Sequence, residues 1–342
     1  MTIDSTHRTE RKRIRGTRLV AAALSGAVVL AAGVTVATSS LLDSGPAAPD
    51  VDHPAPVLSP TVSGNSNVVR VIAVGDIACP PGESRDADKC HHVAVSNDIA
   101  ASKPQALFLL GDIQYEHGSI EQFRGSFDRA FGRFRKISRP VPGNHEYYDN
   151  GAAGYFKYFG KRAHPATNGY YSFNLGRWHV VALNSNCEIV SCAANSPQVK
   201  WLRRDLKATQ RRCVAAMWHH PRFSSGEHGN HPAVAPFWKE LQAAGASVVL
   251  GGHDHDYERL GPQTADGVAD RRSGLRSFVA GTGGRSLYKR VIDAPNSERF
   301  IGDKFGMLKL TLRPDSYLWR FVDEAGVTRD KGSAKCATRP AR

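Results

Sequence analysis

VVRVIAVGDIA (68–78) sets the pattern of this chain: an apolar run rich in Val and Ile, then a glycine, then an aspartate. The pattern returns in ALFLLGDIQY (106–115), in the shorter PVPGNHE (140–146), in VAAMWHHP (214–221) and in SVVLGGHDHDYER (247–259). Continuous apolar runs of this length read as strands buried on both faces. A further run lies at 277–280. Between the runs lie helix-like stretches, roughly 86–101, 120–134, 197–210 and 232–244. Gly169–Asn184 alternates about Gly176-Arg177 as a hairpin, and a second hairpin is expected from Met307 to Phe321. The result is a layered α/β domain with mixed β-sheets and helices outside.

In open α/β sheets the ligand site lies beyond the carboxyl ends of the strands. Each cluster of Asp, Asn and His in these stretches follows a strand-like run, so all should meet at one edge. Asp76, Asp112, Asn144, His145, His219, His220, His253, Asp254, His255 and Asp256 are brought there. Carboxylate oxygen, amide oxygen and neutral imidazole suit first-row transition metals and zinc. Two ions a few ångström apart need a bridging carboxylate, for which Asp112 is the natural candidate. Read singly, Asp76, Asp112 and Asn144 would pass for turn residues; it is their recurrence after successive runs that points to a site.

The ordered series GD, GDxxY, GNHE, H and GHxH resembles the calcineurin-like metallophosphoesterase superfamily, and within it the purple acid phosphatase branch. The likeness runs from about Val68 to Arg259, more weakly through GTGG (281–284). It implies a four-layer αββα fold. The wider superfamily opens with Asp-x-His, but the third position here is Ala78; Tyr115 replaces that ligand, as in the GDxxY block of purple acid phosphatases. A phenolate is a hard anionic ligand suited to ferric iron. The resemblance therefore implies that Asp76, Asp112, Tyr115 and His255 hold Fe3+. It implies that Asp112, Asn144, His219 and His253 hold a second ion, Fe2+, Zn2+ or Mn2+. The family places the third-block ligand two residues before a proline, which selects His219 over His220. His145 is expected to stabilise the transition state or protonate the leaving group. His228, with His231 behind it, occupies the window of a further family histidine. His91 and His92 are expected to be structural, as is the aromatic cluster 155–159. Asp254 and Asp256 are expected to brace ligand rings or face solvent.

The implied activity is hydrolysis of phosphate monoesters by metal-activated hydroxide. A phosphodiesterase or nucleotidase with the same centre is the alternative, followed by a non-catalytic binder of phosphorylated envelope polymers. The substrate is then a phosphorylated small molecule or polymer.

The N-terminus is a different kind of sequence. Arg8, Arg11, Lys12, Arg13, Arg15 and Arg18 precede a run without charged residues from Leu19 to Leu42. That is the layout of an export signal or of a single-pass membrane tether. Residues 43–67, with five prolines, read as an extended linker, leaving 68–342 as the catalytic domain. The expected location is secreted or on the extracellular face of the membrane; no feature bears on oligomeric state. Residues 1–67 hold six basic and five acidic groups, so nearly all of the net charge of +13 falls on the folded part. Such a domain favours anionic partners. No basic, aromatic-studded stretch marks a specific nucleic-acid module. Six cysteines in an exported chain suggest disulfides. Of 15 connectivities, local spacing makes Cys79–Cys90 and Cys187–Cys192 the simplest pairs, leaving Cys213–Cys336.

Overall fold

Strand β1 (Val69–Val74) is buried at every position but Arg70, and its side chains divide between two cores. Val71 and Ala73 face a second sheet, whereas Ile72 and Val74 face an outer helical layer. Successive side chains of a strand point to opposite faces, so a strand covered on both sides must be apolar throughout. The same division holds in β2 (Ala106–Leu110). The structure is a computed structural model that describes residues 68–338; the expected signal or tether and the linker lie outside the described residues.

Between β1 and β2 runs α1 (His92–Ser102). After β2, α2 (Ile120–Gln122) passes through a π-helical turn into α3 (Asp128–Phe131). Then come β3 (Ser138–Val141), α4 (Asn144–Tyr147) and α5 (Ala153–Phe159). The hairpin β4 (Tyr171–Leu175) and β5 (Trp178–Ala182) leads to α6 (Pro197–Ala208), β6 (Cys213–Met217), α7 (Ala235–Ala243) and β7 (Val248–Gly251). Six strands complete the domain: β8 (Tyr257–Gln263), β9 (Leu275–Ala280), β10 (Ser297–Ile301), β11 (Gly306–Leu312), β12 (Ser316–Asp323) and β13 (Thr328–Lys335).

The six-stranded sheet has the order β13-β12-β11-β1-β2-β3, and the seven-stranded sheet β10-β8-β9-β7-β6-β5-β4. Strands β1, β2 and β3 are mutually parallel, as are β5, β6, β7 and β9; the remaining pairings are antiparallel. The inner faces of both sheets share one core, with Phe108, Leu310 and Trp319 from one and Phe173, Met217 and Phe278 from the other. Outside the first sheet pack α1, α3 and α5, through Val95, Ile99, Phe131 and Tyr155. Outside the second pack α6 and α7, through Val199, Leu202, Leu206, Phe237 and Trp238. The expected four-layer αββα arrangement is present. Helix α6 starts where Ser196 accepts a hydrogen bond from Val199 N (3.2 Å) with Pro197 at its first position, satisfying an otherwise orphaned donor.

The helix expected over 86–101 begins only at His92. Residues 86–90 are used otherwise: the Asp86 carboxylate accepts from Asp88 N and Lys89 N, and Cys90 is bonded to Cys79. Cys187–Cys192 is the other pair expected from local spacing, and Cys213–Cys336 is the pair that those two leave.

Candidate metal centre

The parallel strands of both sheets run out at one edge. Asp76 follows β1, Asp112 follows β2 and Asn144 opens α4 just after β3. From the other sheet, His219 follows β6, and His253 and His255 follow β7. Three of these residues have left-handed backbone: φ is 59° at Asp76, 43° at Asp112 and 74° at His253. Non-glycine residues hold such conformations at a cost, commonly at functional sites. At Gly111 (φ +87°) a Cβ would come within 2.5 Å of the His219 ring, so only glycine lets β2 pass that histidine.

Two groups of donor atoms converge. In the first, the Tyr115 hydroxyl lies 3.1 Å from Asp76 Oδ1, 3.2 Å from Asp112 Oδ2 and 3.0 Å from His255 Nε2. In the second, His219 Nε2 lies 3.2 Å from Asp112 Oδ2, 3.2 Å from Asn144 Oδ1 and 3.2 Å from His253 Nδ1. Asp112 Oδ2 belongs to both. The outer oxygens are occupied elsewhere: Asp76 Oδ2 accepts from His253 N and Asp112 Oδ1 from His145 N, each at 2.9 Å. His219 Nδ1 donates to the Leu110 carbonyl (2.8 Å), and His255 Nδ1 bonds to Ser286 Oγ (2.7 Å).

The donor set fits a pair of cations. With Nδ1 committed to the Leu110 carbonyl, His219 turns Nε2 toward a carboxylate oxygen and an amide oxygen, and a cation there would replace the proton that Asp112 otherwise holds on that nitrogen. Ligands about 2.0–2.2 Å from a metal stand about 3 Å from one another, which matches the spacings above. Electrostatics point the same way. Burial and then the nearby Asp112 push the Asp76 carboxyl well above its ordinary range, although His219 opposes them. Burial resists ionisation of Asp112, but His219 holds its carboxyl low. Burial also resists charging of His219, yet Asp112 lifts its imidazolium to about 9. Burial keeps His255 neutral, with its pKa lowered to about 3, and lowers His253 likewise. Burial and the two carboxylates raise Tyr115 well above its ordinary value. The site thus calls for positive charge, which bound cations provide.

His145 sits at the edge of this cluster. Its Nδ1 donates to the Glu116 carbonyl (2.6 Å), leaving Nε2 3.9 Å from Asp112 Oδ2. The His228 ring stacks on His253 at 4.1 Å. His220, set aside in the sequence, is buried in the same group, 4.4 Å from the His253 ring. His231 stacks on His220 at 4.9 Å. His91 is structural as expected, bonded to Glu324 Oε2 (2.7 Å) and stacked on Phe305. Asp254 and Asp256 do not behave as expected. Both are fully buried, and among the described residues neither is hydrogen-bonded to one of these histidine rings and both Asp256 oxygens have no hydrogen-bond partner.

Sequence reasoning missed Glu146. Its carboxylate accepts from Gly143 N (2.7 Å), Asp112 N (2.9 Å), Ile113 N (2.8 Å) and Gln114 N (3.2 Å), so it clamps the Asp112 loop to the Asn144 loop. It also missed Tyr288, which stacks on His255 at 4.0 Å, nearly parallel. Their only sequence signals are the last letter of GNHE and proximity to GTGG.

Residues 69–257 match the family profile described as calcineurin-like phosphoesterase. The chain belongs to that family and is a metal-dependent phosphoester hydrolase. Within it, the likeness is to purple acid phosphatases. The chain is 25% identical over 255 residues to human tartrate-resistant acid phosphatase type 5, covering 65% of this chain and 77% of that protein. Among solved structures, purple acid phosphatase PPD1 of yellow lupin superposes with a TM-score of 0.59 at 18% identity. That match covers 78% of this chain, which spans only 54% of the lupin protein. A dimetal phosphatase from Danio rerio gives a TM-score of 0.51 at 14% identity, covering 79% of this chain and 99% of that one.

Proposed function

We propose that this chain is an exported phosphatase cleaving phosphate monoesters, with Asp76, Asp112, Tyr115 and His255 holding Fe3+ and Asp112, Asn144, His219 and His253 holding Fe2+, Zn2+ or Mn2+. The observation that carries the reading is the membership of Asp112 Oδ2 in both donor groups, at 3.2 Å from Tyr115 and from His219. When bound, two such ions supply hydroxide near neutral or acidic pH and neutralise phosphoryl charge. The remaining work belongs to side chains. With Nδ1–H committed to the Glu116 carbonyl, His145 turns Nε2 to the substrate, and in its imidazolium form the Nε2–H donates to the phosphoryl group or gives its proton to the leaving oxygen. His228, exposed on its loop and backed by His253, is a second histidine offered to the phosphoryl group.

The monoester preference is supported by the acid phosphatase activity named for the human relative. It also accords with the excess of positive charge on the folded part, since a monoester presents a dianion. Export is supported by the basic head and apolar run at the N-terminus and by three disulfides. The test is a paired assay of metal-reconstituted protein on aryl phosphate monoester and diester substrates. A higher kcat/KM on the monoester is expected; diester preference would overturn the monoester reading.

A further inference from the structure

A cleft of about 420 Å³ is lined by Lys289, Arg290, Arg299, Lys304 and Arg329, with Asp303 the one acid among its lining residues. Three of these cations have partners: Arg290 pairs with Asp293 (3.1 Å), Lys304 with Asp303 (2.8 Å) and Arg329 with Asp323 (2.6 Å). Lys289 and Arg299 are exposed and have no ion-pair partner among the described residues. Five cations around one hollow repel one another, and an anion placed among them is drawn in from a distance.

Two short stretches of chain tie the cleft to the metal centre. Tyr288, which stacks on His255, also donates its backbone N–H to the His255 carbonyl (2.9 Å), and Lys289 is the next residue. The other wall is β10, whose Ile301 pairs with Tyr257, two residues beyond His255. Both walls therefore start within two residues of a contact to His255 or Tyr257. The one aromatic lining residue is Phe300. The Arg290 guanidinium lies over its ring at 5.7 Å, and Gly302 packs against its edge. Nucleobases bind by stacking on open aromatic faces, so the lining favours bare phosphate over a base-bearing chain.

We propose that this cleft binds a second phosphate of the substrate, several bonds from the ester that is cut, with Lys289 and Arg299 as its principal contacts. The proposal rests on the phosphoester reading above and narrows its substrate class. Guanidinium offers paired donors to phosphate oxygens and ammonium a point charge, a combination suited to a phosphate held without desolvating the whole cleft. A small bisphosphate and a polymer of phosphodiester-linked polyols ending in a monoester share this chemistry.

The test uses the metal-reconstituted full chain with hexanediol monophosphate, hexanediol bisphosphate and an oligo(glycerol phosphate) carrying a terminal monoester. The bisphosphate is expected to exceed the monophosphate in kcat/KM by roughly tenfold at low salt, beyond the doubling given by its two ends, and mainly through KM. The Lys289→Ala/Arg299→Ala double variant should erase that preference and leave the monophosphate rate unchanged. A larger gain for the oligomer assigns the cleft to a polymer, and a gain confined to the bisphosphate assigns it to a small molecule. A bisphosphate advantage in the wild type no greater than the doubling given by its two ends, or a larger advantage that survives the double variant, overturns the proposal. Should none of these compounds be hydrolysed, the monoester reading fails and calorimetric titration decides the cleft by itself. Tighter binding of bisphosphate than monophosphate, lost in the double variant, supports it; equal binding overturns it.

Discussion

At Asp112 every polar group is committed. Its N–H donates to Glu146, Oδ1 accepts from His145 N, and Oδ2 faces both donor groups from a backbone held at φ 43°. Glu146 is what keeps that loop in place, accepting four backbone N–H groups while fully buried. In Glu146→Gln one acceptor oxygen becomes an amide NH2 turned toward backbone donors. The expected loss is about 1–3 kcal/mol of unfolding free energy in the metal-free protein. Metal affinity should fall by roughly 10–100-fold, as for other groups that orient ligands. Denaturant unfolding and metal titration read the two effects; an unchanged metal affinity would remove the clamp from the description of the site. At this scale the sequence is only partly readable. Asp76, Asp112, Asn144 and His219 are visible because each follows an apolar run. Glu146 is silent because its partners are backbone groups, which no residue type reveals. The burial of His220 is equally hidden, since adjacent histidines give no sign of which one turns inward.

Among the elements, the strands covered on both faces and the β4–β5 hairpin are legible, whereas the edge strand β13 is not. Ala106–Leu110 is buried throughout and cannot be mistaken for a surface segment. Strand β13 alternates between half-buried and exposed positions and carries TRDKGSAK, which reads as a loop. It is a strand because β12 offers it a ladder. Helix α1 shows the same competition at its start, where an Asp86 turn and a disulfide replace the expected first turn. His92, at the first position of α1, is buried with Nδ1 unpartnered. Burial, with a smaller effect of His91, lowers its pKa from 6.5 to about 4. The unfolded chain takes up this proton as pH falls below 6.5, and the folded chain only near 4. The stabilising contribution is therefore complete above 6.5 and is lost progressively down to about 4, on the order of 3 kcal/mol in total. His92→Leu should flatten this part of the acid destabilisation of metal-free protein. Urea midpoints near neutrality and near pH 5 measure it; parallel losses in wild type and variant would show that His92 is not responsible.

For the molecule as a whole, the centre joins two sheets. Asp76, Asp112 and Asn144 come from the six-stranded sheet, and His219, His253 and His255 from the seven-stranded one. Ions held by both halves bind the folded state alone, so metal loading should couple to stability. The four-layer fold and the ordered blocks are readable together because one pattern, apolar run then ligand, produces both. The cationic cleft is not readable, since 289–290, 299–304 and 329 meet only through the pairing of β10 with β8 and the return of β13. The central claim is that this edge holds two metal ions in a donor set including Tyr115. Metal content per chain, measured with the visible spectrum after iron reconstitution, tests it most directly. The expected result is two ions per chain, with a tyrosinate charge-transfer band that Tyr115→Phe abolishes. One ion or none per chain would contradict the two-metal centre, and an active, colourless zinc or manganese protein would contradict the iron site while leaving the hydrolase intact.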